Sequence, residues 1–211
     1  MDDNQCPPEW DQLINEIMSC RKCPLHKYRK NPVPGEGSCK AEIMFVGEAP
    51  GAREDEMGRP FVGAAGKLLT ELLESIGLKR SEVYITNVVK CRPPTNRDPT
   101  EEEISACSPY LLRQIRIIRP KIIVALGRYA GKFLYTQAGL RWISMGKNHG
   151  RVIEGVIEGV PVKIMATYHP AAALYYPKLR PVLESDFAKL KEIIHETKKP
   201  RGKTRSILDY F

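Results

Sequence analysis

The sequence lacks a long apolar run and a secretory signal. No apolar stretch approaches the ~20 residues that cross a bilayer, so we expect no membrane span. The N-terminal residues are acidic and lack the basic and apolar regions of a signal peptide. We therefore expect a cytoplasmic protein whose cysteines are reduced. Hydrophobic residues make up 42% and charged residues 27% of the chain, which excludes a wholly disordered or collagen-like protein.

Positive charge is in excess and unevenly spread. The 211 residues include 33 Lys and Arg against 25 Asp and Glu, a formal charge of +8. Residues 1–19 contain no Lys or Arg, whereas residues 20–40 contain six against one Glu, and a second basic block lies in the last fourteen residues. This clustering is typical of a protein that binds a polyanion such as nucleic acid. A solvated surface and tail is the alternative interpretation.

Strand and helix patterns alternate along the chain. Short apolar runs predict four core strands: residues 42–47, 83–86, 121–127 and 162–167, the last being the second arm of a hairpin. Helical spacing or capping signals predict helices around residues 10–18, 68–76, 100–115, 128–135 and 182–194. Parallel neighbours need crossover helices, so we predict a three-layer α/β/α fold with a central four-stranded, mainly parallel sheet. Residues 1–196 would form one catalytic domain and residues 197–211 a basic flexible tail.

Polar and aromatic residues follow three of the predicted strands. They are Gly47, Glu48 and Ala49 after the first strand, with Phe61 in the next segment, Asn87 after the second and His169 after the fourth. Ligands of open α/β sheets bind beyond the carboxyl ends of the strands. An amide for a base edge, a ring for its face and an imidazole for a developing charge predict a base-binding pocket. Taken singly, each residue could instead serve in a turn, the core or a cap.

Four of the six cysteines form two groups. They are Cys20 and Cys23, with two residues between them, and Cys91 and Cys107, with fifteen residues between them. Four thiolates in this arrangement suit either tetrahedral zinc or an iron-sulfur cluster. A redox dithiol also fits the first pair, but that pair follows a helix rather than the expected strand. We interpret the other two, Cys6 and Cys39, as ordinary free thiols.

Several short motifs together resemble the family 4 uracil-DNA glycosylases. They are G-E-A-P-G at 47–51, R-P-F-V-G-A-A-G at 59–66, T-N-V-V-K-C-R-P-P at 86–94, H-P at 169–170 and the spaced cysteines. Their order covers roughly residues 10–195. The resemblance implies the uracil-DNA glycosylase fold and hydrolysis of the bond between uracil and deoxyribose, which starts base-excision repair of deaminated cytosine. It also implies one 4Fe-4S cluster, held by Cys20, Cys23, Cys91 and Cys107.

The resemblance also assigns roles in the pocket. It implies that Asn87 binds the O4 and N3 edge of uracil and that Phe61 stacks on its face. Backbone groups of Gly47, Glu48 and Ala49 would complete the uracil-binding pocket. His169 would stabilise the negative charge that bond cleavage leaves on uracil O2. The catalytic residues expected are therefore His169, Glu48 and Asn87.

One position departs from the better-known family 1 glycosylases. An Asp that orients the attacking water there corresponds to Ala49 here, and alanine has no carboxylate. Family 4 shares this loss. The task of positioning water or stabilising the sugar cation then falls to Glu48, or alternatively to Glu54 or Asp55. We rank Glu48 first because it lies directly at the end of a strand.

The expected partners are uracil-containing DNA, single- or double-stranded, and a sliding clamp. Leu174 matches the region where this superfamily inserts an apolar wedge into DNA, although an ordinary helix start gives the same letters. Near the C-terminus, Ile207, Tyr210 and Phe211 resemble the motif by which repair enzymes bind the clamp PCNA. Thr204 replaces the usual Gln, and packing on the enzyme itself is the alternative. A PCNA-type clamp would imply an archaeal source.

A protein of another class could share some of these features. A non-catalytic nucleic-acid-binding or electron-transfer protein built around a metal cluster would explain the cysteines and the basic charge. It would not explain why the polar and aromatic residues of the pocket follow neighbouring strands. We therefore favour a monomeric glycosylase that associates with the nucleoid through DNA.

Overall fold

The structure, a computed structural model, describes residues 6–198. Its strands are β1 (Glu36–Gly37), β2 (Ile43–Gly47), β3 (Tyr84–Asn87), β4 (Ile122–Leu126), β5 (Val152–Ile157) and β6 (Val160–Thr167). Its helices are α1 (Pro8–Met18), α2 (Ala52–Met57), α3 (Ala64–Ser75), α4 (Glu101–Ile118), α5 (Arg128–Gln137), α6 (Met145–Asn148), α7 (Pro170–Tyr175) and α8 (Arg180–Lys198). Short 3-10 helices span Pro24–Lys27, Arg80–Glu82, Pro94–Asn96 and Pro177–Leu179.

The strands form one mixed sheet in the order β1-β3-β2-β4-β6-β5. The four central strands are parallel, and β1 and β5 pair antiparallel at the two edges. The α/β fold with a four-stranded parallel core is therefore confirmed. The sheet has two more strands than the four predicted for it. Of these, β5 is the first arm of the predicted hairpin, and β1 has only two residues, too few for an apolar pattern.

Helices cover both faces of the sheet. Every residue of β2 and β4 is buried, as expected for parallel strands between two helical layers. Apolar side chains of α1, α4 and α5 pack on one face, and those of α3 and α8 pack on the other. Trp10 contacts Tyr84 edge-on at 5.3 Å on the first face, and Phe45 stacks on Phe187 at 6.0 Å on the second. The three predicted layers are present.

Helix α4 begins with the capping box that its sequence predicts. The Glu103 amide donates to Thr100 Oγ1 at 3.2 Å, and the Thr100 amide donates to Glu103 Oε2 at 2.9 Å. Pro109 lies inside this helix, which nevertheless runs unbroken over 18 residues. This continuity brings Cys107 and Gln114, which lie two turns apart on the same face, toward the loop that follows β3.

The prediction that Cys6 and Cys39 are free thiols was wrong, because the two form a disulfide. Cys6 lies just before α1, and Cys39 lies in the loop between β1 and β2. The fold brings their Cα atoms to 5.8 Å although 33 residues separate them in sequence. We predicted free thiols because a reducing compartment was expected, and that argument contains no information about which cysteines lie close together in the fold. The bond ties the start of α1 to the edge of the sheet.

Three short helices, α2, α6 and α7, and the end of the last helix were not predicted. Helix α2 forms in a charged segment, and α7 begins at Pro170, where proline is well tolerated at the first helical position. Helix α8 extends to Lys198 and so includes the first residues of the predicted tail. The proposed clamp-binding residues Ile207, Tyr210 and Phe211 lie outside the described residues. Within residues 6–198 no helix is long and apolar enough to cross a membrane.

Candidate active site and metal site

The carboxyl ends of three parallel strands border one open cleft. Gly47, the last residue of β2, is paired in register with Asn87, the last residue of β3. His169 follows β6, which lies on the other side of β4. The cleft is lined by five of the predicted residues: Glu48, Ala49, Phe61, Asn87 and His169. The structure thus places these five residues around one space.

Gly47 lets two of these side chains approach the backbone. A Cβ atom at this position would lie 2.3 Å from Asn87 Oδ1 and 2.7 Å from Phe61 Cζ. Both neighbours are buried, so neither could move far to admit a methyl group. A glycine is therefore required where the amide and the ring meet.

The Asn87 side chain is held in place through its own backbone. The residue is only 2% exposed, and its carbonyl accepts a 2.6 Å hydrogen bond from Lys90 Nζ. Lys90 also donates to Thr86 Oγ1 and Gln114 Oε1, both at 2.7 Å. Burial lowers the pKa of Lys90 to about 7, and negative charge on the sulfurs of Cys107 and Cys91 opposes this shift. No local sequence signal distinguishes this lysine from a surface one, and the sequence analysis missed it.

The Asn87 amide itself remains open to a ligand. Within residues 6–198 it has no hydrogen-bond partner, and its polar atoms are not among those sealed off from solvent. A buried amide without a protein partner loses free energy, about 1–3 kcal/mol, unless a ligand or water binds it. The geometry therefore favours recognition of a polar edge at this point.

Phe61 adopts a backbone conformation that is uncommon for a phenylalanine. Its φ is +51°, in the left-handed region. Arg80 holds this turn by donating to the carbonyls of Pro60 at 2.9 Å and of Phe61 at 3.2 Å. Gly66 of α3 packs so close that a Cβ there would lie 1.8 Å from the Phe61 carbonyl oxygen. Several contacts thus fix the ring in a strained position at the cleft, a pattern typical of functional sites.

The two carboxylates offered as alternatives to Glu48 have structural partners. Glu54 Oε1 accepts hydrogen bonds from the amides of Val62 and Gly63, both at 2.9 Å, and so supports the loop that carries the ring. The Asp55 carboxylate is buried and accepts a 2.9 Å bond from the Lys30 amide. Glu54 borders the cleft, whereas Asp55 does not.

His169 is a neutral side chain that can donate one hydrogen bond, because of its hydrogen-bond partner and its burial. The Ala171 amide can only donate, and it points at His169 Nδ1 at 3.1 Å, so Nδ1 is the acceptor and Nε2 carries the proton. Burial lowers the pKa of His169 to about 4, with Glu54 opposing, so the ring is uncharged at neutral pH. The ring stacks on Phe61, with centroids 5.5 Å apart. This histidine can donate one hydrogen bond without losing its proton.

Glu48 is a partly buried carboxylate at the start of the cleft. Within the described range its side chain has no hydrogen-bond or ion-pair partner. Burial is the main cause that raises its pKa to about 7, the charge of Asp98 adds to this, and Arg128 opposes it. Asp98 also borders the cleft and is held by Arg128 and by the hydroxyl of Tyr129. The sequence analysis missed Asp98, although it follows the same strand as Asn87.

Leu174 does not border the cleft. It lies in α7 with 48% of its surface exposed, and the next residue, Tyr175, borders the cleft instead. The role of Leu174 as a wedge stays a prediction.

The four spaced cysteines come together away from this cleft. Cys20, Cys23, Cys91 and Cys107 line one small cavity, and none of them forms a disulfide. Burial raises the pKa of the Cys107 thiol to about 12.

Donors already point at two of the sulfur atoms. The Lys90 amide donates to Cys107 Sγ at 3.1 Å, and Arg29 Nη1 donates to Cys91 Sγ at 3.0 Å. Arg29 also donates to the Cys20 carbonyl at 2.9 Å. Thiolates that receive such hydrogen bonds are typical ligands of iron-sulfur clusters.

Four thiols that line one cavity are a donor set for an iron-sulfur cluster or for tetrahedral zinc. Among residues 6–198, no group of three or more His, Cys, Asp or Glu side chains is arranged to hold a metal ion. The chemistry of this donor set fits either group.

Several basic residues of the segment 20–40 make contacts with other residues of the protein itself. Lys22 lies over the ring of Tyr110 at 4.9 Å, and Lys30 pairs with Glu56 at 3.3 Å. Arg29 contacts the cysteine cavity. Some of the charge that predicted nucleic-acid binding therefore contacts the cysteine cavity, and the predicted binding of DNA by this segment stays a prediction.

Comparison with known proteins identifies the family. The model of the uracil DNA glycosylase superfamily matches residues 34–196. A type-4 uracil-DNA glycosylase of Archaeoglobus fulgidus is 58% identical over 183 residues, 87% of this chain and 92% of that protein. A type-4 uracil-DNA glycosylase of Sulfurisphaera tokodaii is 54% identical over 95% of this chain and 89% of that protein. Another, of Thermotoga maritima, is 46% identical over 87% of this chain and 94% of that protein. The chain belongs to the uracil-DNA glycosylase superfamily and, within it, to the type-4 uracil-DNA glycosylases.

Proposed function

We propose that this protein removes uracil from DNA by hydrolysing the bond between the base and deoxyribose, which leaves an abasic site for base-excision repair. One observation carries the proposal: an open amide, a fixed aromatic ring and a neutral histidine donor surround the same cleft. These three groups match the edge, the face and the leaving charge of a pyrimidine. Membership of the family supports the same reaction.

The substrate must reach the cleft as an extruded nucleotide. A base inside a duplex cannot contact side chains at the ends of β2 and β3, so the enzyme has to rotate it out of the stack. The free energy of unstacking is offset by contacts in the pocket. Phe61 stacks on the face of the base, a contact worth ~1–3 kcal/mol in proteins that bind single strands.

Asn87 selects uracil over cytosine. Its Nδ2 group donates to uracil O4, and its Oδ1 accepts from uracil N3–H. Cytosine presents an amino group and an unprotonated nitrogen at the same two places, so donor would face donor and acceptor would face acceptor. The buried amide would then be unpaired, which costs about 1–3 kcal/mol for each lost partner. Lys90 holds the Asn87 side-chain amide in position, because its ammonium group donates a hydrogen bond to the Asn87 backbone carbonyl.

His169 stabilises the departing base. Cleavage of the glycosidic bond leaves negative charge on uracil O2, and the Nε2–H of His169 donates to that oxygen. The histidine remains neutral because its Nδ1 accepts from the Ala171 amide and because burial lowers its pKa to about 4. The contribution is that of an oxyanion donor, whose removal typically slows a reaction by ~10²–10³-fold.

Glu48 acts on the sugar. As a carboxylate it stabilises the positive charge that develops on deoxyribose and orients the attacking water. Ala49 offers no carboxylate, and Glu54 and Asp55 are engaged by backbone amides. The side chain of Glu48 has no such partner within residues 6–198 and is available for this role.

The four cysteines would hold one 4Fe-4S cluster. Its thiolate bonds would supply a covalent crosslink between the loop after α1, the loop after β3 and helix α4. Since hydrolysis moves no electrons, the residues around it have a structural task. Lys90 connects the two sites, because its amide contacts Cys107 and its ammonium contacts the Asn87 carbonyl.

The test is strand scission at uracil. The purified protein is incubated with an oligonucleotide that contains one uracil, then treated with alkali, with thymine, cytosine and hypoxanthine strands as controls. We expect cleavage at uracil alone. A protein that binds these strands without producing alkali-sensitive sites would instead be a non-catalytic nucleic-acid-binding protein.

We further propose that residues 1–196 form the catalytic domain and that the C-terminal tail binds a PCNA-type sliding clamp. The tail is basic and ends in apolar residues, among them Ile207, Tyr210 and Phe211. Deleting residues 204–211 should abolish binding to the clamp in pull-down and leave uracil excision unchanged. Retained binding would remove the proposal. Contact with DNA would associate the protein with the nucleoid.

A further inference from the structure

Three large side chains at the end of α7 lie in solvent side by side. Leu174, Tyr175 and Tyr176 are 48%, 80% and 68% exposed. Among the large apolar side chains of residues 6–198, Tyr175 has the highest exposed fraction. Contiguous exposed apolar residues usually mark a surface that binds something.

Helix α7 holds these side chains in fixed positions on the surface. It begins at Pro170 and is capped by His169, whose ring accepts a hydrogen bond from the Ala171 amide. Ala173 is buried against the hydrophobic cluster formed by α3 and α8. The same short helix therefore positions the predicted leaving-group donor at one end and Tyr175 at the other.

Tyr175 differs from its two neighbours in where it lies. It borders the cleft that also contains Glu48, Asn87 and Phe61, whereas Leu174 and Tyr176 do not. An extruded nucleotide in this cleft stays joined to its strand by both phosphates. The next nucleotide of the strand must therefore lie at the rim, where Tyr175 is.

We propose that Tyr175 stacks on the nucleobase that adjoins the extruded uracil on the same strand and so holds the strand in its distorted shape. The inference rests on the proposed glycosylase function. An aromatic ring fits this task because every base offers a flat face on which a ring can stack. The tyrosine hydroxyl can hydrogen-bond to water, so the side chain can be exposed when no DNA is bound. The positive charge of a nearby lysine also favours DNA as the molecule bound here. Lys178 follows in the next short helix, is exposed and has no acidic partner in the described part of the chain, so it is available for a backbone phosphate.

The test compares two substrates and four variants under single-turnover conditions. One strand carries ordinary bases on both sides of uracil, and the other carries abasic spacers there. For Tyr175→Ala, the enzyme concentration that gives half the maximal rate should rise about tenfold with the ordinary strand. It should change less than about twofold with the spacer strand, which has no base to stack on. Tyr175→Phe should behave as wild type on both, since the ring is retained.

Tyr176→Ala is the matched control, because Tyr176 is an exposed tyrosine that does not border the cleft, and it should change neither value. Since Tyr175 is 80% exposed, its truncation leaves no cavity in the core. Equal effects of Tyr175→Ala on both strands, or no effect on either, would overturn the inference. So would a selective loss in Leu174→Ala with none in Tyr175→Ala, which would assign the contact to the leucine. Absence of excision by the wild-type protein would instead count against the proposed function itself.

Discussion

The ionisation of Glu48 should set the pH dependence of excision. Burial, and secondarily the charge of Asp98, raise its pKa to about 7. Burial lowers the pKa of His169 to about 4, so the histidine stays neutral throughout the range in which Glu48 titrates. If the carboxylate form of Glu48 is the active one, activity is half-maximal near pH 7, reaches its plateau one to two pH units higher, and falls at lower pH as the group is protonated.

The size of the effect follows from the ionised fraction. With a pKa of about 7, roughly one tenth of Glu48 is ionised at pH 6 and roughly one hundredth at pH 5. The single-turnover rate at saturating enzyme should therefore fall about tenfold per pH unit and be about a hundredfold below its plateau at pH 5.

Two variants assign this pH dependence to Glu48. Glu48→Gln cannot ionise, so its rate should be low and flat between pH 5 and pH 7. Asp98→Asn removes a nearby negative charge, so the pKa of Glu48 falls and the acidic limb moves to lower pH. Because burial is the larger cause of the raised pKa, this displacement should be at most about 1 pH unit.

The assay measures the rate of uracil release at saturating enzyme from pH 4.5 to 9, with DNA binding followed by fluorescence anisotropy at each pH. A wild-type rate that is constant between pH 5 and pH 7 would refute this role for Glu48. The same acidic limb in Glu48→Gln would refute it as well. An acidic limb that moves upward in Asp98→Asn would contradict the electrostatic part of the reasoning.

Other substitutions probe the pocket, the metal site and the disulfide. Gly47→Ala would place a methyl group 2.3 Å from Asn87 Oδ1, so excision should fall by about a hundredfold while circular dichroism stays native; normal excision would show that the pocket can relax. Cys107→Ser should remove iron, sulfide and visible absorbance, and a colourless zinc-containing wild-type protein with full activity would refute the cluster. Replacing both Cys6 and Cys39 by Ser should lower the free energy of unfolding by about 3 kcal/mol in denaturant titration, whereas an unchanged value would mean that the bond contributes nothing to stability.

The parallel core was predictable because each strand is a short apolar run that ends at a glycine or a polar residue. Such runs occur where a strand is buried between two helical layers. The edge strand β1 was not predictable, since Glu36–Gly37 has neither length nor apolar character and forms only because β3 offers it a partner. The helix α2 was missed for a related reason, because four of its six residues are charged and it has no apolar pattern.

The outline of the cleft was predictable from topology alone. Residues that directly follow parallel strands meet at one edge, and Glu48, Asn87 and His169 do so here. Residues that act through tertiary contacts were not predictable. Lys90 and Glu54 became recognisable as supports of the pocket only when their hydrogen-bond partners were visible.

The disulfide shows the limit of an argument from composition. Cys6 and Cys39 were assigned by elimination, because the other four cysteines had the spacing of a metal site. Nothing in the local sequence indicates that the loop before β2 folds back to the start of α1.

The most direct test of the account is the release of free uracil by the wild-type protein and by His169→Ala. Both are incubated in excess over a uracil-containing strand, and the free base is quantified by chromatography. The account predicts that the wild-type protein releases uracil and leaves cytosine in place, and that His169→Ala does so about a hundredfold or more slowly with DNA binding retained. No release by the wild-type protein, or equal rates for the two proteins, would contradict it.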